Sequence, residues 1–306
     1  MSARLSSVCI IGLGLMGRPI ARRLLAAGFD ACGWNRSALQ PELTQGIPLC
    51  SSLEKAAETD VALLVLADSG AVDAVLAQLE PHLARGRLVV DMGTSDPARS
   101  REHAGRLGAQ GVGWVDAPVS GGPEGVEEQR LAIMAGGSEQ DFVRAEPLLS
   151  TLGSVVRVGG PGDGHSAKLV NQVIVGLTIE AVAEALALAE KAGLDPRLVQ
   201  QALRGGSADS RILHAHGTRM IERDFAPRAT VRTMLKDARL GLALAESVSA
   251  RLPHLASLAH SWEQLVADGK GEADCSMLVT LRSSHGTPST CGRPKPRASA
   301  SERWGL

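Results

Sequence analysis

Gly12, Gly14 and Gly17 belong to the hexapeptide Gly12-Leu13-Gly14-Leu15-Met16-Gly17, at the end of the strand-like run Val8–Gly12 and the head of a helical pattern. Glycines at this spacing allow a tight turn, close approach of a pyrophosphate to backbone N–H groups, and close helix–strand packing. The helix N-terminus adds unpaired N–H groups and the positive end of its dipole. The chemistry is dinucleotide binding, with Leu13, Leu15 and Met16 completing the turn. A glycine turn kept only for packing is the competing reading, and the position in the first βα unit favours the cofactor. Folds selective for NAD carry an acid about 20 residues further on, against the ribose hydroxyls. Here the second strand ends in Trp34-Asn35-Arg36-Ser37. No carboxylate repels a 2′-phosphate, while Arg36 can pair with one and Ser37 can donate a hydrogen bond. The segment predicts NADP(H) in preference to NAD(H), unless Arg36 is merely a solvated surface residue.

These groups need a scaffold, and the first half of the chain supplies a rhythm. Strand patterns at Val8–Gly12, Ala31–Trp34, Val61–Ala67, Leu88–Met92, Trp114–Ala117, Leu131–Ala135 and Val155–Val158 alternate with helical patterns. Such alternation predicts a doubly wound α/β domain of the Rossmann type, a parallel sheet covered by helices on both faces. At Gly159-Gly160-Pro161-Gly162 the rhythm stops. One helical pattern then runs from His165 to Ala192, closed by Gly193 as a C′ residue; Asp195-Pro196 opens the next helix. Further helical patterns at Leu198–Leu203, Arg211–Glu222, Thr230–Ala250 and Leu255–Asp268 predict an all-α domain entered through the long helix. The expected division is 1–161, 162–282 and a mobile basic tail at 283–306, rich in Pro and Ser.

Two further motifs carry reactive side chains. Asp116-Ala117-Pro118-Val119-Ser120-Gly121-Gly122 follows a strand, and Gly162-Asp163-Gly164-His165-Ser166-Ala167-Lys168-Leu169-Val170-Asn171-Gln172 opens the long helix. Together with the glycine turn, Lys236-Asp237 and Asp274-Cys275-Ser276, they resemble the β-hydroxyacid dehydrogenase family from about Val8 to Leu278. The stretch Lys168–Val175 and Ala202-Leu203-Arg204-Gly205-Gly206 are most similar to its tartronate semialdehyde reductase branch.

The resemblance implies hydride exchange between a nicotinamide and a small 3-hydroxy acid or its semialdehyde. Reducing an aldehyde leaves an alkoxide that needs a proton and a nearby positive charge. Lys168, which matches the family's catalytic position, can supply both, and its neutral amine serves as base in reverse. A lone Lys at a helix start is otherwise an ordinary solvated residue. Asn171, one turn on, can orient substrate or lysine. Relatives carry another Asn where this chain has Gln172, so either Asn171 or Gln172 could contact substrate. The resemblance also implies a carboxylate loop at Ser120, Gly121 and Gly122, and cofactor contacts from Leu66, Ala67, Thr94 and Lys236. Phe225 is expected beside the nicotinamide or in the core. Met234 and Arg211 are candidate pocket walls. Tartronate semialdehyde with glycerate is the leading pair; 3-hydroxyisobutyrate, succinic semialdehyde and threonate-type acids follow. An imine reductase or a non-catalytic binding module would each be expected to lack the lysine.

Composition narrows the classes. The 306 residues, 44% hydrophobic and 21% charged, make an ordinary globular chain, in which folding hides roughly 75% of the unfolded surface. Lys plus Arg (32) nearly cancels Asp plus Glu (33), and aromatics are 2% with no Tyr. That argues against nucleic-acid and membrane partners. Five scattered cysteines without a CxxC pair (Cys9, Cys32, Cys50, Cys275, Cys291) fit a reducing compartment and argue against a zinc site or a disulfide framework, and no metal is expected. The run Val61–Ala67, taken as the longest apolar stretch, is too short to span a bilayer. A cytoplasmic homodimer or homotetramer is expected, its contact formed by the apolar helix around Ile174–Leu188.

Overall fold

The computed structural model describes residues 5–283. The expected tail lies outside them except for Ser283, as does Cys291. By contacts the chain falls into two compact units. One comprises the residues up to Thr178 with Pro227–Asp274; the other comprises Ile179–Ala226 with the residues from Cys275 onward.

The first unit is built on eight strands: β1 (Ser7–Ile11), β2 (Asp30–Trp34), β3 (Val61–Leu64), β4 (Leu88–Asp91), β5 (Gly113–Asp116), β6 (Val119–Ser120), β7 (Leu131–Gly137) and β8 (Gly153–Gly159). Their order is β2-β1-β3-β4-β5-β7-β6, with β8 also paired to β7. The strands β1, β3 and β4 are fully or almost wholly buried and read as continuous apolar runs, as strands covered on both faces must. One face packs Ile20 and Leu24 of the helix Gly17–Ala26 onto Val8, Ile10 and Leu63. The other packs Val72, Leu76 and Leu79 of the helix Ser69–Leu79 onto Ile11, Leu64 and Val89. The strand order reverses at β1, so the chain ends of β1 and β3 open the crevice where such sheets take ligands.

The all-parallel expectation is corrected at β7. It runs antiparallel to β5 and β6, because β6 and β7 form a hairpin closed by residues 121–130, which needs no long crossover. The two-residue β6 was not foreseen, since no alternation can register over so short a run. The strand expected at Val61–Ala67 stops at Leu64, where Val65 donates its last ladder bond to Ile11 and the chain turns toward the crevice.

The helix Asp163–Lys191 carries its first half in this unit, with Val231–Ser247 and Pro253–Ala267. A side chain at Gly176 would begin 3.0 Å from the buried ring of Trp262, so these helices approach as closely as glycine permits. Reading Val61–Ala67 as the longest apolar stretch is also corrected. The helix Asp163–Lys191 reaches a mean hydropathy of 1.7 in an 18-residue window, which by length and composition alone would pass for a membrane span. Core helices of soluble proteins pass the same test.

The second unit packs the remainder of the long helix with Pro196–Ala202, Arg211–Glu222 and Val279–Ser283. Buried Gln200 ties two of these helices by donating to the Leu213 carbonyl at 2.8 Å. Gly193 does adopt positive φ (78°), and Asp195 caps the next helix through the Arg197 N–H at 2.9 Å.

Candidate active site

After β1 the chain turns at Gly12, whose φ of 106° excludes a side chain on conformational grounds. A Cβ there would also strike the Val65 carbonyl, and one at Gly17 would strike the Gly12 carbonyl. Gly14, by contrast, has open space where a side chain would stand. The helix that follows has no side-chain cap and no acid in its first turn. Its N–H groups and dipole are therefore open to an anion. Leu13 is fully buried against Gly33, and its N–H donates to Asn35 Oδ1 at 3.0 Å. Asn35 Nδ2 donates to the Ser37 carbonyl at 2.8 Å. Both polar ends of Asn35 thus brace the turn, while Leu15, Arg36 and Ser37 are exposed beside it. These residues fit a phosphorylated dinucleotide: a cradle a Cβ would fill, a free helix end, and a cation in place of an acid.

The second cluster lies after β4 and on two helices. Lys168, 7% exposed, sits in the second turn of the long helix. Burial pushes its amine down to about 8 against the opposing pull of the Asp237 carboxylate, and Lys236 adds to the depression. Asp237, from the helix Val231–Ser247, is buried and tethered twice. It accepts from Gln172 Nε2 at 2.5 Å and pairs with Lys236 Nζ at 3.0 Å. Asn171 donates to Gln172 Oε1 at 2.9 Å, and Lys236 donates to the Thr94 carbonyl at 2.8 Å. Met234 Sδ lies 3.9 Å from Gln172 Nε2. Lys168, Asn171, Gln172, Thr94 and Lys236 thus form one polar cluster in the first unit.

The Ser120–Gly122 loop follows β6, with φ of 140° at Gly121 and 68° at Gly122, and all three residues are half-buried. Leu66 and Ala67 follow β3 at the crevice, Leu66 half-buried and Ala67 exposed. Phe225 and Arg211 belong to the second unit, Phe225 half-buried and Arg211 exposed.

Sequence reasoning missed Asp237 as a site residue and a buried trio behind the cluster. His165 is fully enclosed, with Nε2 3.5 Å from Asp91 Oδ2 and Nδ1 4.0 Å from Asp116 Oδ2. Asp116 also accepts the N–H groups of Gly162 (2.8 Å) and His165 (3.0 Å), holding the start of the long helix at the end of β5. Asp91 accepts from Gly93 at 2.9 Å and from Ser95 Oγ at 3.0 Å, shaping the loop that carries Thr94. Carboxylates closing two strands, each near glycines, were the available signal.

A nucleotide turn on a Rossmann-type sheet and a buried amine on the helix that follows it define a nicotinamide-dependent oxidoreductase. Residues 7–160 match the NAD binding domain of 6-phosphogluconate dehydrogenase, and residues 162–282 match the NAD-binding region of NADP-dependent 3-hydroxyisobutyrate dehydrogenase. The chain belongs to the 3-hydroxyisobutyrate dehydrogenase-like β-hydroxyacid dehydrogenase family and uses NAD(P). It is 38% identical over 275 residues to the 2-hydroxy-3-oxopropionate reductase of Escherichia coli K12, covering 88% of this chain and 94% of that one. Among solved structures, 3-hydroxyisobutyrate dehydrogenase from Salmonella typhimurium matches with a TM-score of 0.83 and 28% identity, over 90% and 99% of the two chains. The Mycobacterium tuberculosis 3-hydroxyisobutyrate dehydrogenase with L-serine matches at 0.79 and 27%, over 91% and 99%.

Proposed function

We propose that this enzyme interconverts a small 3-hydroxy acid and its semialdehyde with NADP(H) as preferred cofactor, tartronate semialdehyde and glycerate being the leading pair. The observation that carries this reading is Lys168: an almost fully enclosed amine, lowered to about 8, beside a carboxylate that keeps it from neutralising altogether. Supporting the reading are the 38% identity to a 2-hydroxy-3-oxopropionate reductase and the Ser120–Gly122 loop, whose hydroxyl and two positive-φ glycines can offer donors to a carboxylate. The dividing line between a nucleotide-binding and a helical domain falls at 161/162 in this reading, where the two family matches part.

When bound, the nicotinamide would provide the hydride donor or acceptor. In reduction, Lys168 donates a proton from Nζ to the substrate oxygen as charge develops there, and its positive charge stabilises that oxygen beforehand. In oxidation its neutral form takes the hydroxyl proton. Ser120 Oγ and the N–H groups of Gly121 and Gly122 hold the substrate carboxylate. Asn171 and Gln172, chained to Asp237, fix the lysine and the substrate in register. Leu13 and Asn35 shape the phosphate turn, Leu15, Met16, Leu66 and Ala67 flank the nucleotide, and Lys236 holds the Thr94 loop against it. Arg36 and Ser37 take the 2′-phosphate.

The deciding experiment is a panel of semialdehydes, hydroxy acids and a cyclic imine, each run with NADPH and NADH. Tartronate semialdehyde with NADPH gives the highest kcat/KM; turnover of the imine with none of the semialdehydes sinks the reading. Asp237→Asn tests the electrostatics separately. Removing the carboxylate that raises Lys168 lowers its pKa, so the alkaline limb of the reductive pH profile moves below about 8. A profile unmoved by the change removes Asp237 from the mechanism.

Assembly from copies of this chain, in a reducing cytoplasmic compartment, is part of the same proposal. Val170, Ile174 and Leu188 on the long helix are 58%, 64% and 70% exposed, an apolar row suited to burial against a second copy. Sedimentation at micromolar concentration is expected to give a dimer or tetramer, and Ile174→Glu to shift it toward the monomer. A wild-type monomer at all concentrations ends this part of the proposal.

A further inference from the structure

Nothing in their spacing along the chain connects Cys9, Cys32 and Cys50, which are separated by 22 and 17 intervening residues. The sheet register connects them. Cys9 of β1 lies directly opposite Cys32 of β2, so both side chains leave the sheet on one face. Beyond β2 the chain adds one more rung. Gly33 bridges to Leu49 in parallel, donating to the Pro48 carbonyl at 2.8 Å and accepting from the Cys50 N–H at 2.8 Å. Gly33 faces one way, and its neighbour Cys32 and the residue after Leu49 face the other. All three sulfurs therefore converge, each within 4.8 Å of the other two.

We propose that Cys9, Cys32 and Cys50 form a binding site for a soft monovalent metal ion of the copper(I) class. Several observations bear on the ion. The donor set is entirely sulfur, and among the described residues no histidine or carboxylate joins it. Soft thiolates suit both copper(I) and zinc, but a closed zinc site takes four protein ligands and three sulfurs leave it one short, whereas three thiolates complete a trigonal copper(I) site. Metal–sulfur bonds of about 2.3 Å place three trigonal sulfurs roughly 4 Å apart. The present spacing needs little contraction, and Cys50, half-buried after the bridge, can supply it.

The surroundings are apolar, with the three cysteines packed among Leu53, Ala56, Ala62 and Leu64, which favours an ion of low charge. Binding displaces the S–H protons to solvent, and the ion keeps its oxidation state. Nothing in this site is shared with Lys168 or the glycine turn, and it stands independently of the substrate assignment.

The test is an anaerobic titration of the full chain with copper(I), in competition with a chromogenic copper(I) chelator. One equivalent is expected to bind per chain, with X-ray absorption showing three sulfur neighbours and a rise in Tm from clipping the edge strand β2 to β1. Cys32→Ser and Cys50→Ser, each near-isosteric, lower the affinity at least about 100-fold, while Cys275→Ser retains it; circular dichroism checks that each folds. The proposal is overturned if no copper(I) is held against the chelator, if Cys50→Ser binds as tightly as the wild type, or if zinc competes on equal terms.

Discussion

Lys168→Ala lowers kcat for semialdehyde reduction by about 10²- to 10⁴-fold, the usual contribution of a positioned proton donor. The NADPH dissociation constant stays within about twofold, because the nucleotide turn is built from other elements. Wild-type reduction requires the protonated amine, so its rate is full below about pH 8 and falls above it; oxidation needs the neutral amine and rises through the same pH. A variant that keeps wild-type turnover, or wild-type pH limbs without an inflection near 8, removes Lys168 from the chemistry.

The same residue makes a stability prediction of opposite sign. Its folded pKa of about 8 lies below the ordinary 10.5, so between those values the unfolded chain binds more protons than the folded one. Stability of the ligand-free enzyme therefore rises with pH through that window, and the cost of the buried charge is fully present below about 8. Lys168→Met removes that cost, and denaturant unfolding at pH 7 is expected to show a gain on the order of 3 kcal/mol from a shift of this size. A variant that loses activity while gaining stability marks a functional residue held at a folding penalty.

The second large effect concerns the cofactor. Arg36→Ala raises the KM for NADPH by about 10- to 100-fold, the range expected for one hydrogen-bonded charge contact of roughly 1.5–3 kcal/mol. The KM for NADH changes little, since NADH has no 2′-phosphate to lose. Arg36 is exposed, so its removal leaves the fold intact. Equal effects on both cofactors would discredit the contact. Asn35→Ala behaves differently: it frees the Leu13 N–H and weakens both cofactors alike, because Asn35 braces the turn itself.

What the sequence determined by itself is whatever depends on local spacing. The turn Gly12–Gly17, the cap at Asp195 and the stop at Gly193 each rest on a few contiguous residues, and continuous apolar runs such as Leu88–Asp91 announce strands buried on both faces. Lys168 was legible through its motif, as a residue type at a helix start. Its burial and the lowered pKa that burial causes were not, and the two charges that act on it, Asp237 and Lys236, stand on the helix Val231–Ser247, more than 60 positions away. The chain Asn171–Gln172–Asp237 and the enclosure of His165 between Asp91 and Asp116 likewise join distant segments. The antiparallel β7 and the convergence of three cysteines depend on register, where a slip of one residue sends every side chain to the opposite face. Tertiary structure alone decided these, because a pairing between strands is a contest among long-range contacts that no local run of residues can settle.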